Sequence, residues 1–350
     1  MTELEVRVPA PGPLTPGTRG PAGPLQELLL QPGVTDVLVN GPDDVWVEQH
    51  GSLRRVDVDL GTLADVRALG VRLAAACGQR LDDAAPWVDG RLPDGTRLHA
   101  VLPPLAHPST LISLRVSRSR PRSLDELVAR GSVAPPVAAL VRALVACRAN
   151  VLVSGATGTG KTTLLAAALG LVPPDERIVL LEETHELEPD HPHVVRLVTR
   201  RPNVDGAGEV DLAQLVRQAM RMRPDRLVVG EARGPETRDV LAALNTGHDG
   251  GWATVHAGAA ADVPARLEAL GVLAGLPPAA LAVQAASAVD AVVHLVREPA
   301  RRVAEVAVLE RRGDGLVVDG AVRVDADGTV TAGPAWDRLA HRIGLGERAP

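Results

Sequence analysis

Residues 151–163 read Val-Leu-Val-Ser, then Gly155-Ala156-Thr157-Gly158-Thr159-Gly160-Lys161-Thr162-Thr163. This is the spacing GxxxxGK[ST], and the apolar runs 151–154 and 163–169 predict a strand before it and a helix after it. Glycines at these steps let backbone N–H groups converge on a polyphosphate at the positive end of the following helix. Lys161 is the only lysine among 37 basic residues, so every other one is arginine. A compact ammonium suits a nest of amides that the planar fork of arginine fits poorly. The Thr162 hydroxyl is placed to ligate Mg²⁺. The segment implies a nucleoside triphosphate bound with magnesium.

Hydrolysis needs more than a cradle. Leu227-Val228-Val229-Gly230-Glu231 reads as a strand that ends in a carboxylate. At the C-terminal edge of a parallel sheet, Glu231 would face the phosphate loop and could orient a water. Gly230 stands where such a strand end usually carries aspartate, so Mg²⁺ would depend on Thr162, waters and a second carboxylate. Glu182-Glu183, at the end of the run 178–181, offers that carboxylate, and solvated loop charge is the other reading. Residues 246–256 hold His248 and His256 around a Gly-rich turn and strand. A zinc site would want two further ligands, and no cysteine is near. The pair is therefore structural, or it senses or transmits the state of the γ-phosphate.

The elements that must position these groups can be read from pattern. From 137 onward, apolar runs at 149–154, 177–181, 226–229, 252–256 and 291–296 alternate with helical stretches, which predicts a largely parallel sheet. Runs at 303–309, 316–318 and 322–324 predict trailing hairpin strands. Residues 211–221 place Leu212, Leu215, Val216, Ala219 and Met220 on one helical face. Residues 1–24 form a lead-in, with Pro or Gly at ten of the sixteen positions 9–24. An α+β domain follows over 25–119, with helices at 25–30 and 63–76 and strands at 34–40, 45–49 and 110–116. Residues 120–136 read as a linker, and 137–350 as the nucleotide-binding domain. The basic stretch Arg115, Arg118, Arg120, Arg122 is solvated charge or a contact for phosphate or acidic lipid.

Composition excludes several classes. A net charge of −6 gives no general case for nucleic-acid binding, and the absence of Tyr and Phe removes most stacking platforms. Cys77 and Cys147 cannot make a disulfide framework. The N-terminal residues lack the apolar core of a signal peptide. Residues 269–289 are uncharged but carry Pro277-Pro278 at their middle, which predicts two buried helices and no transmembrane segment. A cytoplasmic protein is expected, docked on a membrane partner.

With these motifs in place, the chain resembles the secretion-ATPase superfamily, in particular the CpaF-type ATPases of Tad (Flp) pilus systems, over roughly 25–296. The similarity rests on Arg196-Leu-Val-Thr-Arg200-Arg-Pro-Asn203, on 219–226 with Gly230-Glu231-Ala-Arg233-Gly234, on Asn245-Thr-Gly-His-Asp-Gly250 with Thr254-Val-His256-Ala, and on Asp89-Gly-Arg91-Leu-Pro-Asp-Gly-Thr-Arg97. In that family the 245–257 segment is called the His box, and 182–186 lies in the acidic box. The resemblance implies an α/β protein: a RecA-like P-loop NTPase domain with a parallel-sheet core, preceded by a smaller α+β N-terminal domain. It further implies a homo-hexameric ATPase using ATP and Mg²⁺ at the inner face of the cell membrane, against a platform protein of a pilus or secretion system. Arg91, Arg97 and Arg115 would close on the phosphates. Glu183 stands where the family more often has aspartate, and Gly258 where it has asparagine. The competing readings are a conjugative DNA-transfer ATPase, a P-loop kinase and a nucleotide-gated scaffold.

Overall fold

The computed structural model describes residues 20–116, 123–200, 207–298 and 300–344, and the chain divides into two compact units, Met1–Arg118 and Ser119–Pro350. In the first unit, short alternating runs build an antiparallel sheet. α1 (Gln26–Leu30) leads into β1 (Val34–Gly41), β2 (Asp44–Gln49), β3 (Ser52–Val56), α2 (Leu63–Ala76), β4 (Trp87–Arg91), β5 (Arg97–Val101) and β6 (Leu111–Arg115). The sheet order is β3-β2-β1-β6-β5-β4. Thr62 and Asp65 start α2 with reciprocal bonds: the Asp65 N–H donates to Thr62 Oγ1 (3.3 Å) and the Thr62 N–H to Asp65 Oδ2 (2.8 Å). Val66, Leu69 and Leu73 of α2 are buried with Val37, Val39, Leu98, Ile112 and Leu114, so one face of the sheet is covered by the core.

The apolar pattern does not predict β5, although it alternates with Leu98 and Ala100 buried, nor does it predict β3 and β4, whose burial shows why. β3 buries nothing, and β4 buries only Val88 among charged and small neighbours. The lead-in also ends earlier than expected. Ala22 and Leu25 lie in this core, while residues 1–19 fall outside the described set.

The second unit opens with α3 (Leu124–Ala129) and α4 (Pro135–Ala146). Residues 120–136 are therefore not a simple linker, because Leu124, Leu127 and Val133 are part of the second unit's core. The basic residues Arg118, Arg120 and Arg122 lie outside the described residues. There follow β7 (Val151–Gly155), α5 (Lys161–Leu169), β8 (Ile178–Glu182), β9 (Val194–Val198), α6 (Leu212–Ala219), β10 (Arg226–Val229), α7 (Glu236–Leu244), β11 (Trp252–Val255), α8 (Val263–Leu273), α9 (Pro278–Ala288) and β12 (Ala291–Val296). The chain continues through β13 (Arg302–Arg312), β14 (Gly315–Val324), β15 (Val330–Ala332) and α10 (Trp336–Arg342).

Nine strands form one sheet in the order β15-β14-β13-β12-β7-β11-β10-β8-β9. β12, β7, β11, β10, β8 and β9 run parallel, and β13 to β15 extend the sheet antiparallel. β7, β8, β10 and β11 are buried throughout, as continuous apolar runs covered on both faces must be. Asp319-Gly320 does not break the trailing hairpin into two strands. β14 runs through it, with a register shift opposite Val306 and Ala307. Residues 269–289 do form two helices around the proline pair, and no helix among the described residues is long and apolar enough to cross a membrane.

Candidate active site

Parallel strands deliver their C-terminal ends to one edge of the sheet. Here that edge receives the phosphate loop from β7, Glu182 from β8, Glu231 after β10, His256 after β11, and Leu295 and Arg297 from β12. The loop is shaped by contacts no other residue type would allow. A Cβ on Gly155 would lie 2.6 Å from the Leu295 carbonyl oxygen and 2.7 Å from Thr159 Oγ1. Gly160 adopts φ 102° as it turns the chain into α5, whose first amides carry no side-chain cap and so remain available to an anion. Thr159 Oγ1 closes the turn by donating to the Ala156 carbonyl (2.9 Å).

Lys161 is buried and folded onto its own loop. Its Nζ donates to the carbonyl oxygens of Gly155 (2.9 Å) and Ala156 (3.0 Å) and lies 3.3 Å from His256 Nδ1. Burial pushes the Lys161 pKa down, the Glu231 charge works against that, and Arg233 adds to it. On the other side of the imidazole, His256 Nε2 lies 2.8 Å from Glu231 Oε1. Burial also pushes the His256 pKa down, against the pull of Glu231, so the ring is neutral at pH 7. Lys161 is a donor only, so Nδ1 accepts from it, while Nε2 stands against Glu231 Oε1, a buried oxygen that accepts no hydrogen bond. The phosphate lysine and the carboxylate are thus connected through a single ring.

Glu231 is further engaged by Arg233, with Nε 2.7 Å from Oε1 and Nη2 donating to Oε2 at 2.7 Å. The same guanidinium reaches Glu183 through Nη1 (3.3 Å). Glu182 has a different role from its neighbour. It is buried, and its Oε1 accepts the N–H groups of Glu186 (2.9 Å) and Leu187 (2.8 Å), which fixes the loop after β8. Its position also explains Gly230. A Cβ there would sit 3.0 Å from Glu182 Cγ, so the Glu182 side chain of the neighbouring strand would have to shift to admit an aspartate.

His248 is not brought to this group. It precedes β11 whereas His256 follows it, so about 13 Å of strand separates the ends they occupy, and His248 Nδ1 pairs with the Ala243 carbonyl oxygen at 3.3 Å. Among the described residues, no three His, Cys, Asp or Glu side chains cluster as metal ligands. Thr162 opens α5 beside Lys161, and with Glu182 and Glu231 it is what this edge offers a magnesium ion.

Within the first unit, Arg91 pairs in register with Arg97, Arg97 with Arg115, and Arg115 with Asp36. Register partners share a face, and Leu98 and Leu114 are buried on the other one, so the three arginines form a row on the outward side. Arg91 Nη1 donates to the Gly95 carbonyl (2.9 Å), and Arg115 Nε donates to Asp36 Oδ1 (2.8 Å).

Sequence reasoning gave no role to several residues of the edge. Arg233 stood in a quoted motif, two positions from Glu231. Glu236 is buried at the start of α7 and accepts the N–H groups of Arg233 (2.6 Å) and Gly234 (2.8 Å). His294 interrupts the buried strand β12, and its Nδ1 lies 2.9 Å from Ser154 Oγ; a polar residue inside an apolar run was the available signal. Arg297 had none, yet its Nη1 lies 3.7 Å from where a Cβ on Gly158 would be.

A protein of Mycobacterium tuberculosis named for conjugal transfer is 56% identical over 304 residues, covering 85% of this chain and 86% of its own. The TrbB protein of Sinorhizobium fredii, also named for conjugal transfer, is 34% identical over 81% of this chain and 85% of its own. Type IV secretion system protein PtlH of Bordetella pertussis is 33% identical over 67% and 76%. In fold, the chain is similar to the pilus retraction motor PilT, solved with bound ADP (TM-score 0.62, 17% identity, covering 91% and 85%), and to the Legionella pneumophila ATPase DotB (TM-score 0.57, 18% identity, covering 87% and 80%). The family model of type II/IV secretion system proteins matches residues 20–329, and the chain belongs to that family.

Proposed function

We propose that this protein hydrolyses ATP as the motor of a pilus or secretion apparatus. It would act as a homo-hexamer at the cytoplasmic face of the membrane, against a membrane-embedded platform protein. The observation that carries the chemistry is the linked set Lys161–His256–Glu231 at the lip of the phosphate loop. The amides of residues 155–163 and the Lys161 ammonium would hold the phosphates. Glu231 would orient the attacking water. Mg²⁺, held by Thr162 with waters and the nearby Glu182 and Glu231, would neutralise charge on the transferring phosphoryl group. His256 couples the two halves, because Lys161 must leave Nδ1 and the loop carbonyls to reach a phosphate. Arg91, Arg97 and Arg115 are the first unit's candidates for phosphate binding, and Arg297 is a further one in the second.

Within the family, the quoted motifs favour a CpaF-type ATPase of a Tad (Flp) pilus. A conjugative DNA-transfer role is the second reading, favoured by the relatives named for conjugal transfer. Salt-sensitive binding of duplex DNA would support it. Pilin and polytopic membrane proteins encoded beside this gene would support the pilus.

For the chemistry itself, Lys161→Ala should abolish nucleotide binding or turnover. Glu231→Gln should keep binding and lose turnover by at least about a hundredfold. Unchanged turnover in both would overturn the assignment. Release of free phosphate from ATP without an acceptor separates a motor from a P-loop kinase. Binding without turnover, even with membrane partners present, would favour a nucleotide-gated scaffold.

A further inference from the structure

We propose that Arg233 is a positioning residue that restrains hydrolysis by holding the Glu231 carboxylate, and that Glu183 is the second seat to which it swings when Glu231 is released. The inference rests on the ATP-hydrolysing reading above. An ionised carboxylate has about four acceptor positions. Arg233 Nη2 donates to Glu231 Oε2 at 2.7 Å, while Oε1 is buried beneath Arg233 Nε (2.7 Å) and His256 Nε2 (2.8 Å) and accepts no hydrogen bond from either. A water brought into line by Glu231 would need a lone pair within its reach, and here Oε2 is taken by Arg233 while Oε1 is shut off from water beneath the guanidinium and the imidazole.

The second seat is already in reach. Arg233 Nη1 lies 3.3 Å from Glu183 Oε2, and that carboxylate is about half exposed, with room to receive the whole fork. The exchange needs only a side-chain rotation. The Arg233 backbone is pinned by Glu236, which accepts its N–H at 2.6 Å, and the preceding Ala232 N–H donates to the Thr254 carbonyl at 2.9 Å. Arg233 is 54% exposed. A guanidinium in that setting changes partners at little cost, unlike a buried one. A carboxylate pair sharing one mobile arginine fits a gate better than a support.

The test uses the full-length protein, steady-state turnover of ATP with magnesium, and separate measurement of nucleotide affinity. Arg233→Ala should raise kcat about two- to fivefold, the range set by an ion pair half open to water, with affinity unchanged. Arg233→Lys should raise it less, since a point charge can hold one oxygen but not fork across both. Glu183→Gln should lower kcat, because it removes the alternative seat and leaves Arg233 on Glu231. A purely structural role would not move these variants in opposite directions. Adding Glu231→Gln to Arg233→Ala should erase the gain. A fall in kcat for Arg233→Ala at intact affinity would overturn the restraint, as would no change in either Arg233→Ala or Glu183→Gln. Should Arg233→Ala fail to fold, the opposite signs of Arg233→Lys and Glu183→Gln decide. Wild-type turnover with unresponsive variants refutes only the restraint. Nucleotide binding with no turnover in wild type or Arg233→Ala refutes the hydrolytic reading as well, whereas turnover gained only in the variant supports both.

Discussion

The two edges of the parallel sheet in the second unit use the same kinds of charged residue for opposite ends. At the edge where the strands begin, Arg226 is buried, with Nε donating to Glu176 Oε2 (2.6 Å) and Nη2 to the Val145 carbonyl (3.1 Å), while Arg148 takes the other Glu176 oxygen (3.1 Å). Around them Asn150 accepts the Gly251 N–H and donates its own N–H to Asp290, and Asp225 accepts the Arg177 N–H. These bonds tie the starts of β7, β8, β10, β11 and β12 together. At the edge where the strands end, a chain of partners runs from buried Lys161 through His256 and Glu231 to the half-exposed Arg233 and Glu183. A buried pair such as Arg226–Glu176 is costly to break, whereas a half-exposed one such as Arg233–Glu183 can be rearranged. Rigidity at one edge is what lets the other edge be adjustable without losing register.

The largest expected effect breaks the rigid edge. Arg226→Ala leaves Glu176 with Arg148 alone and opens a cavity beneath the β10 start. A loss of about 3 kcal/mol is expected, lowering the melting midpoint by roughly 6–12 °C. A drop under 2 °C by calorimetry would mean the two edges are not mechanically different. Next in size is a contrast between the two histidines. His256→Ala removes the ring joining Lys161 to Glu231 and should cut turnover about tenfold or more. His248→Ala removes one bond to the Ala243 carbonyl and should leave turnover within about twofold while costing at most ~1 kcal/mol of stability. Equal losses of turnover would erase the distinction between the edges.

Acid should weaken the strand-end edge first. Burial depresses the pKa values of both His256 and His294 below the ordinary histidine value of 6.5. Between that value and the lowered folded ones the unfolded chain binds more protons, so stability is full above about pH 6.5 and declines as pH falls through the window. Melting midpoints from pH 8 to pH 5 should show this fall, and His294→Gln should flatten it. An unchanged slope in that variant would remove His294 from the account.

What could be read from sequence divides along the same line. The phosphate loop was legible because its function is carried by consecutive residues and by backbone. Glu231 and His256 were legible as strand-end residues, since a parallel sheet sends all its C-terminal ends to one edge. The fold class and the strands β1, β2, β6, β7, β8, β10, β11 and β12 followed from apolar period. Pairings between residues distant in sequence did not. Nothing in the local pattern joins Arg233 to Glu183, or Arg226 to Glu176, because each bond is set by how β8 and β10 lie side by side. Gly230 was read as a missing aspartate, and only the packing of Glu182 beside it shows why the position is small. The separate runs at 316–318 and 322–324 are one strand because pairing with β13 continues across the gap between them, and β3 was invisible because a strand with no buried face leaves no apolar period to detect.

The smallest effect sharpens the comparison at its most exposed point. Arg297 follows β12, and its guanidinium reaches the space beside Gly158 in the phosphate loop. It is exposed, so its attraction for a phosphate is screened by water and salt and should be modest. Arg297→Ala should weaken affinity for ATP about two- to fourfold, with kcat unchanged, and the loss should shrink as ionic strength rises. Lysine at the same position should restore most of the affinity, since only a positive charge is needed there. If affinity fell without salt dependence, or if lysine failed to restore it, Arg297 would be shaping the loop through contact. It would then belong with the fixed supports of the opposite edge, and not with the exchangeable charges around Glu231.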